Sequence, residues 1–401
     1  MPQKHALNPA TQLIHHPYRA PEGFAAPQGG VFKASTVIFD SVAAMRARDW
    51  KHKTGYTYGL HGTPTTFTLE ERMATLEHGT HCVLAPSGLA AIANVNLALL
   101  KTGDEVLIPD NAYGPNLALA QGELAAYGIT HRVYNALNPA DLATKLSDKT
   151  KLVWLEAPGS VTMEFPPLAA LVRVCKARSV TTALDNTWGA GLAFNAFELE
   201  SGEGADISIH ALTKYPSGGG DVLMGSVVTR SEELHLKVKL AHMRLGLGVG
   251  ANDCEAVLRS LPSIALRYDA HDRAARELAQ WLQTRPEVAQ VLHPALEGSP
   301  GHANWKALCC PANRAAGLFS IVFKHTYSQA QVDKFCDSLQ LFKLGFSWGG
   351  PMSLVVPYDI QTLRKGAVQP WPAQDWQKGC LVRFSVGLED AQDLREDLAR
   401  A

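Results

Sequence analysis

The sequence has no excess of charge of either sign: Lys and Arg number 37 and Asp and Glu 38, which leaves a net charge of −1. This balance excludes an extended nucleic-acid or anionic-membrane surface, because neutralising successive phosphates requires many surplus cations. There is also no uninterrupted apolar run near the ~18 residues of a membrane span. No apolar segment follows Lys4, as a secretory signal would require. We therefore expect a cytoplasmic protein.

Cysteines are few and show no pairing pattern. There are seven of them, an odd number, and none lie in a C-x-x-C arrangement. This argues against a disulfide framework and against a thiolate metal site, so we expect reduced, mostly buried cysteines. His78 and His81 form H-x-x-H without a third ligand, and surface or capping roles are favoured over zinc. No metal is expected.

Apolar residues make up 46% of the 401 residues, which is enough to bury one or two full-sized cores. Residues 1–62 are the exception. They contain five prolines and the pair Gly29-Gly30 with little periodicity, so they cannot form a core of their own. We expect an extended N-terminal arm that contacts a neighbouring subunit.

Short apolar runs alternate with helical patterns from Cys82 onward, which indicates repeated βα units and a parallel sheet. The predicted strands begin near Cys82, Glu105, Lys151, Val180 and Ala205, and the predicted helices span Gly88–Leu100, Leu168–Arg178 and Glu232–Leu245. We interpret residues 63–258 as a large, doubly wound, mostly parallel α/β domain.

A long helical stretch after Asp253, interrupted at Pro262, leads into a second region. Its apolar runs at Gly317–Lys324 and Cys380–Val386, with helices at Ser328–Leu339 and Glu389–Arg400, indicate a smaller C-terminal α/β domain over residues 259–401. The segment Gln369–Pro372 is typical of an irregular loop.

Polar residues at the carboxyl ends of the predicted parallel strands are the candidate ligands, because the crevice of such a sheet lies there. Ser87-Gly88 opens a helix after one strand and forms a phosphate cradle of free N–H groups. Asp185 ends another strand, and Lys214, followed by the run Gly218–Gly220, lies past the next. Each feature alone is more often a cap, a turn or a solvated side chain. Together they match the anion site, carboxylate and amine that pyridoxal phosphate requires.

Eight segments extend this match along the chain. They are YGLHGTPTTFTLE from Tyr58, APSGLAA from Ala85, NAYGP from Asn111, EAPGSVTME from Glu156, DNTWGAG from Asp185, ALTKY from Ala211, FSWGG from Phe346 and VRFSVGLED from Val382. In this order they resemble the pyridoxal-phosphate enzymes of cysteine and methionine metabolism, and most of all the carbon–sulfur β-lyase branch. The resemblance implies the fold type I architecture of that family.

The resemblance also implies a set of cofactor-binding residues. Lys214 corresponds to the lysine that carries the cofactor and then moves the substrate α-proton, and Asp185 to the carboxylate facing the pyridine nitrogen. Tyr113 corresponds to a tyrosine that stacks on the cofactor ring. The remaining positions contact the cofactor phosphate or its surroundings: Ser87, Gly88, Leu89, Thr213 and, from the neighbouring subunit, Tyr58. Tyr113 and Tyr58 are counted with Lys214 as catalytic.

The substrate side of the site is implied in the same way. Arg383 matches the arginine that binds the substrate α-carboxylate, for which its planar guanidinium is suited. An arginine inside an apolar run is also costly to bury unpaired, so a carboxylate partner is expected. Phe346, Ser347 and Trp348 line the rest of the substrate pocket. Alone, Tyr113 and Trp348 are equally well explained as ordinary aromatics.

The implied reaction is the α,β-elimination of cystathionine to homocysteine, pyruvate and ammonia in methionine biosynthesis, with cystine-like compounds as further substrates. Two alternatives stay open: γ-elimination or γ-replacement, as in the synthases and γ-lyases of the family, and a cofactor-binding regulator with vestigial catalysis. DNTW and SWGG favour the β-lyase branch, since the γ enzymes usually carry phenylalanine after DNT and leucine in place of Trp348.

The chain departs from the family pattern at two positions. Leu60 stands where many relatives have an arginine that contacts the neighbouring subunit's phosphate, and His61, mostly uncharged at neutral pH, follows it. Phe346 stands where the β-lyases have a tyrosine, so a hydroxyl is absent at the distal end of the substrate pocket. The arm and the shared site imply a homotetramer built as a dimer of dimers.

Overall fold

The computed structural model describes residues 9–16, 22–23, 26, 28–200, 202–359 and 380–401. Two sheets organise these residues. The first contains β1 (His81–Ala85), β2 (Glu105–Pro109), β3 (Thr130–Tyr134), β4 (Thr150–Glu156), β5 (Thr181–Asp185), β6 (Ile207–Ala211) and β7 (Gly225–Thr229). The second contains β8 (Val288–Leu292), β9 (Leu318–Phe323), β10 (Lys343–Leu344), β11 (Leu354–Tyr358) and β12 (Leu381–Ser385).

The first sheet has the order β1-β7-β6-β5-β4-β2-β3. Only β7 runs against the others, pairing antiparallel with both β1 and β6. All remaining strands therefore end at one edge, which confirms the predicted large, mostly parallel sheet. The second sheet has the order β10-β11-β12-β9-β8 and is antiparallel except between β10 and β11, which confirms a smaller α/β region.

Helices cover both sheets. They are α1 (Pro9–Ile14), α2 (Val42–Arg46), α3 (Pro64–Leu76), α4 (Gly88–Leu99), α5 (Gly114–Leu119), α6 (Pro139–Lys145), α7 (Leu168–Lys176), α8 (Glu232–Leu245), α9 (Ala251–Ser260), α10 (Ile264–Leu282), α11 (His302–Cys309), α12 (Gln329–Ser338) and α13 (Ala391–Arg400). Short 3-10 turns lie at Gly59–His61 and Leu261–Ser263, and Ala120–Leu124 is π-helical.

The predicted helices and strands are confirmed to within one or two residues, including the break at Pro262. Five strands were not predicted: β3, β7, β8, β10 and β11. In β3 polar residues interrupt the apolar run, and in β11 Pro357 argues against a strand because it donates no ladder hydrogen bond. The segment Gln369–Pro372 lies outside the described residues.

The N-terminal arm is not entirely outside the core. Leu13 of α1 is 1% exposed and packs with the side chains beneath α3, so this part of the arm lies on the core of the large domain, and its contact with a neighbouring subunit stays a prediction. Residues 28–62, in contrast, are largely exposed, and Ile38 is 84% exposed. Contacts with α3 are not confined to α1, because the Tyr56 ring stacks on Phe67 of α3 with ring centres 5.6 Å apart. The division of the chain at residues 62 and 258 stays a prediction.

Five of the seven cysteines are buried and all are unpaired, which confirms the prediction that most are buried. No helix within the described ranges is long and apolar enough to cross a membrane. In the same ranges no group of three or more His, Cys, Asp or Glu side chains is arranged to hold a metal ion.

Polar contacts in the core fix how β3, β4 and α4 pack. Tyr134, which is 1% exposed, donates its hydroxyl to the Trp154 carbonyl at 2.8 Å. The Trp154 indole N–H in turn donates to Asn96 Oδ1 at 3.0 Å. The Tyr134 hydroxyl, the Trp154 indole N–H and the Asn96 amide, which also donates to the Ile92 carbonyl at 3.1 Å, are thus all hydrogen-bonded, as burial requires.

Tyr134→Phe removes this buried hydroxyl and nothing else. We expect the free energy of unfolding to fall by about 1 kcal/mol, the net value of a buried hydrogen bond, measured from urea denaturation. Tyr127→Phe is the matched control, since Tyr127 is 58% exposed and the change should leave the midpoint unaltered. Equal midpoints for the two variants would show that the Tyr134 hydrogen bond does not stabilise the sheet.

Candidate active site

The parallel strands of the first sheet direct their carboxyl ends to a single edge, where the candidate site lies. Glu156 of β4 and Asp185 of β5 are in register at this edge, and Asp185 is in register with Ile209 of β6. Lys214 follows β6 within three residues. The topology therefore brings together the Ser87, Asp185 and Lys214 segments that the sequence placed at separate strand ends.

The turn from β1 into α4 is built as an anion cradle. Ser87 is the N-cap of α4, and its hydroxyl accepts the Ala90 N–H at 3.0 Å. The first amides of the helix, including those of Gly88 and Leu89, have no partner within it and point outward from its positive end. A Cβ at Gly88 would lie 2.7 Å from the Ala211 Cβ, so only glycine allows this turn to approach β6.

Asp185 is held at the base of the site by its own turn. Its Oδ1 accepts the Thr187 N–H at 3.0 Å, and the Thr187 hydroxyl accepts the Ala211 N–H at 3.0 Å. Burial raises the pKa of Asp185 in spite of the hydrogen bonding from Thr187. A cationic group placed against this carboxylate would favour its ionised form.

Lys214 lies beside the substrate-side residues. Its Nζ donates to Ser347 Oγ at 3.0 Å and lies 5.5 Å from the centre of the Trp348 ring. Burial and the neighbouring positive charge of Arg383 lower the pKa of Lys214 to about 8, although the negative charge of Asp185 opposes them. A substantial share of the amine is therefore neutral near physiological pH, as a nucleophile or base must be.

Arg383 projects from β12, the central strand of the second sheet, toward the same site. One of its terminal nitrogens donates to the Ser347 carbonyl at 3.2 Å, and the guanidinium lies 5.8 Å from the centre of the Tyr358 ring. Its Nε is buried without a hydrogen-bond partner, and burial lowers the pKa of Arg383. In the described part of the chain no carboxylate pairs with Arg383, and a bound carboxylate fits the position, one of the two kinds of partner, substrate or protein, that the sequence predicts.

Ser347 connects these two cations: its hydroxyl accepts from Lys214 and its carbonyl accepts from Arg383. It does so with a φ of +102°, a backbone conformation that is unfavourable for a non-glycine residue. Trp348 packs edge-on against Tyr215 with ring centres 5.5 Å apart. Phe346 is 79% exposed and is free to contact a ligand that enters.

Two other predicted residues, Thr213 and Tyr113, also lie at the site. The Thr213 hydroxyl donates to the Met224 carbonyl at 3.4 Å and accepts the Met224 N–H at 3.3 Å, so it braces the segment before Lys214. The Tyr113 ring is 42% exposed. Burial and the charges of Asp185 and Glu156 raise the pKa of the Tyr113 phenol, which keeps it neutral.

The arm presents Tyr58 outward. Its ring is 46% exposed and meets the His61 ring edge-on at 5.8 Å between centres. His61 Nδ1 is hydrogen-bonded to the Thr57 hydroxyl at 2.8 Å. Burial and the positive charges of Lys239 and Arg48 lower the pKa of His61.

The sequence interpretation missed two acidic residues close to this site. Glu156 accepts the backbone N–H of Tyr113 at 2.6 Å. Glu77, 1% exposed, accepts from Asn186, Ser208 and His210 and so joins the ends of β5 and β6. Neither stands out in the sequence, because a glutamate at the end of a strand or a helix is usually solvated.

Comparison with known proteins identifies the family of this chain. The model of the family described as Cys/Met metabolism PLP-dependent enzyme matches residues 10–401. The chain belongs to this family. It is an enzyme of that family, and pyridoxal phosphate is its cofactor.

Individual relatives cover nearly the whole chain. The cystathionine beta-lyase of Bordetella avium is 38% identical over 97% of this chain and 96% of its own length. The L-alanine/L-glutamate racemase of Wolbachia pipientis wMel is 32% identical over 91% and 85%. Among solved structures, that of metB from Corynebacterium glutamicum matches with a TM-score of 0.86 and 27% identity, over 98% of this chain and 97% of that one.

The residues present fit pyridoxal phosphate. The α4 N-terminus suits its phosphate, the buried Asp185 carboxylate suits a protonated ring nitrogen, and the partly neutral Lys214 amine suits its aldehyde. The unpartnered Nε of Arg383 remains for a carboxylate of the substrate. These assignments of individual roles stay predictions.

The lowered pKa of Lys214 makes a prediction about the cofactor-free protein. Because its neutral amine forms as pH rises through about 8 rather than 10.5, acetic anhydride should label Lys214 with a rate midpoint near pH 8, followed by peptide mass spectrometry. Arg383→Met removes the adjacent positive charge, so the midpoint should move upward. A wild-type midpoint near 10.5 would contradict the burial and charge environment described above.

Proposed function

We propose that this enzyme is a carbon–sulfur β-lyase that cleaves cystathionine to homocysteine, pyruvate and ammonia. The observation that carries the proposal is the joint placement of Lys214 and Arg383 on Ser347, which sets a base beside a carboxylate-binding group. The Bordetella avium relative named cystathionine beta-lyase supports the same substrate.

In the proposed reaction Arg383 binds the substrate α-carboxylate with its buried guanidinium, and Ser347 keeps the Lys214 amine next to that group. These two contacts fix the substrate Cα within reach of the Lys214 Nζ. The neutral Lys214 amine then takes the α-proton. Pyridoxal phosphate, when bound, supplies the electron sink that stabilises the charge left on Cα. The thiolate then leaves from Cβ, and addition of water completes the conversion of the three-carbon remainder to pyruvate and ammonia.

The distal part of the substrate meets a different surface from that of β-lyases with a tyrosine at this position. Phe346 offers an exposed ring without a hydroxyl, so we propose that it contacts the distal chain by apolar contact alone, with Trp348 packed deeper. Because such a contact requires no particular polar group in the distal chain, cystine-like disulfides and other thioethers are candidate substrates.

Other reactions share the same central residues and differ in their products. γ-Elimination and γ-replacement could use the same three residues, Lys214, Asp185 and Arg383. The similar solved structure, metB from Corynebacterium glutamicum, is 27% identical to this chain. Protonation of Cα without bond cleavage would give racemisation, the activity in the name of the Wolbachia relative. Leu60 and Phe346 motivate the remaining alternative, a cofactor-binding regulator with vestigial catalysis.

The product formed from cystathionine separates these functions. We expect pyruvate and a free thiol in equal amounts, measured by coupled lactate dehydrogenase and a thiol reagent. Lys214→Ala should reduce the rate by about 10³-fold or more, since it removes the proton-transfer group. Formation of 2-oxobutyrate would indicate γ-chemistry, D-amino acids would indicate racemisation, and full cofactor occupancy without any turnover would support the regulator.

We propose that the enzyme assembles as a homotetramer of two dimers with shared active sites. The support is the exposed surface of residues 28–62, which includes Phe32 (46% exposed), Ile38 (84%) and Tyr58 (46%). Burying these side chains against a second copy would remove apolar area from water. Tyr58 would then reach the neighbouring site. We also propose a cytoplasmic location, which the seven unpaired cysteines support.

Shared sites predict complementation between inactive variants. Tyr58→Ala and Lys214→Ala disable different components of one site, so a hybrid dimer holds one site with both residues intact. Refolding an equal mixture should recover about a quarter of wild-type activity, the share expected from random pairing in a two-fold assembly. Each variant refolded alone is the control. Absence of recovery, with hybrids verified by mass spectrometry, would place Tyr58 and Lys214 of one site in the same subunit.

A further inference from the structure

Glu156 is a buried carboxylate at the site to which the proposed reaction gives no role. It is 9% exposed and lies at the carboxyl end of β4, in register with Asp185 on β5. Its Oε2 accepts the backbone N–H of Tyr113 at 2.6 Å, and its Oε1 accepts the Ser160 hydroxyl at 2.5 Å. One side chain thus joins the turn after β2 to the loop after β4.

The loop after β4, residues 157–164, is held in an unfavourable backbone conformation. Val161 and Met163 have φ values of +61° and +59°, a region that β-branched and bulky side chains rarely occupy. The loop is fixed by the Ser320 hydroxyl, which donates to the Val161 carbonyl at 2.6 Å, and by the Ser160 N–H, which donates to the Asn111 carbonyl at 2.9 Å. Such strain persists where surrounding contacts determine the conformation, and it concentrates at functional sites.

The bond from Glu156 matters because it fixes the peptide group before Tyr113, whereas the peptide group after Tyr113 is held by the Asn116 N–H, which donates to the Tyr113 carbonyl at 2.9 Å. Tyr113 is the N-cap of α5, has no side-chain capping bond, and its ring is 42% exposed. Its N–H precedes the helix, so no helical carbonyl accepts it. The Glu156 carboxylate accepts this N–H at 2.6 Å and so fixes the peptide group from which the ring extends.

We propose that Glu156 is a positioning residue, which holds the Tyr113 ring over the pyridoxal phosphate ring by accepting the Tyr113 N–H from a loop fixed at residues 157–164. The inference rests on Tyr113 being the residue that covers the cofactor. It does not depend on which reaction the enzyme catalyses, because it concerns the cofactor complex without substrate.

Two variants separate position from charge. Glu156→Gln removes the charge but keeps an oxygen at the same reach for the Tyr113 N–H, while its amide can donate to the Ser160 hydroxyl. Glu156→Asp keeps the charge but withdraws the carboxylate by about 1.5 Å, the length of one carbon–carbon bond. If position is what matters, the variant that keeps the charge is the more damaged one.

The chain offers a matched control at the opposite edge of the same sheet. Glu105, at the start of β2, is 7% exposed and accepts from Arg132 at 2.6 Å and from the Thr150 hydroxyl at 2.6 Å. Glu105→Asp shortens an equally buried and hydrogen-bonded glutamate far from the strand carboxyl ends. It reports what such a change does to the sheet in general.

The measurements are the dissociation constant of pyridoxal phosphate, by fluorescence titration of the cofactor-free protein, and the visible circular dichroism of the bound cofactor. Glu156→Asp should weaken binding about tenfold, the effect of losing a hydrogen bond to a charged group, and reduce the dichroism. Glu156→Gln should bind within about threefold of wild type with a similar spectrum. Glu105→Asp should match wild type in both, even where its thermal midpoint falls.

Three results would overturn the proposal: wild-type affinity and dichroism in Glu156→Asp, greater damage in Glu156→Gln than in Glu156→Asp, or an equal loss in Glu105→Asp. Greater damage in Glu156→Gln would show that the charge of Glu156 determines cofactor binding. An equal loss in Glu105→Asp would show that shortening any buried glutamate of this sheet weakens cofactor binding. Failure to release pyruvate from cystathionine would leave all these readouts in place, so it would reject the proposed reaction without touching the role of Glu156.

Discussion

The site depends on keeping the Lys214 amine partly neutral while it lies next to the cationic Arg383. Burial and the positive charge of Arg383 lower the pKa of Lys214 to about 8, and Asp185 limits the shift. Ser347 makes the arrangement stable by accepting from both cations, with its hydroxyl and with its carbonyl. The proposed proton transfer requires a neutral Lys214 amine, and the proposed binding of the substrate carboxylate requires Arg383 close to that amine.

This arrangement requires both sheets. The first supplies Asp185 and the segment of Lys214, while the second supplies Arg383 and leads to Ser347. The two are joined next to the site: the Tyr215 hydroxyl accepts the Gly317 N–H at 2.9 Å. A Cβ at Gly349 would lie 3.0 Å from the Tyr215 nitrogen, so glycine lets the substrate-side loop approach the lysine turn closely. The residues proposed for binding, orientation and proton transfer therefore lie where the two sheets pack together.

Much of the fold and of the site can be predicted from the composition and from the polar residues at the ends of the predicted strands. The runs ending at Ser87, Asp185 and Lys214 are apolar and short, so their positions at one sheet edge follow from βα repetition. Strands such as β11, with Pro357, lack that pattern and form because neighbouring strands pair with them. Glu156 could not be recognised for a related reason: the role proposed for it depends on a backbone N–H 43 residues away, a contact that no local pattern encodes. Resemblance supplied the roles of Arg383 and Tyr113, which periodicity alone would have assigned to the core.

The most direct measurement of the central claim is the position of the cofactor's covalent link. The protein is incubated with pyridoxal phosphate, reduced with borohydride, digested and mapped by mass spectrometry. The environment of position 214 predicts one phosphopyridoxyl group per chain, on Lys214. A label on another lysine, or no label after reduction, would contradict the assignment of Lys214 as the amine around which the site is built.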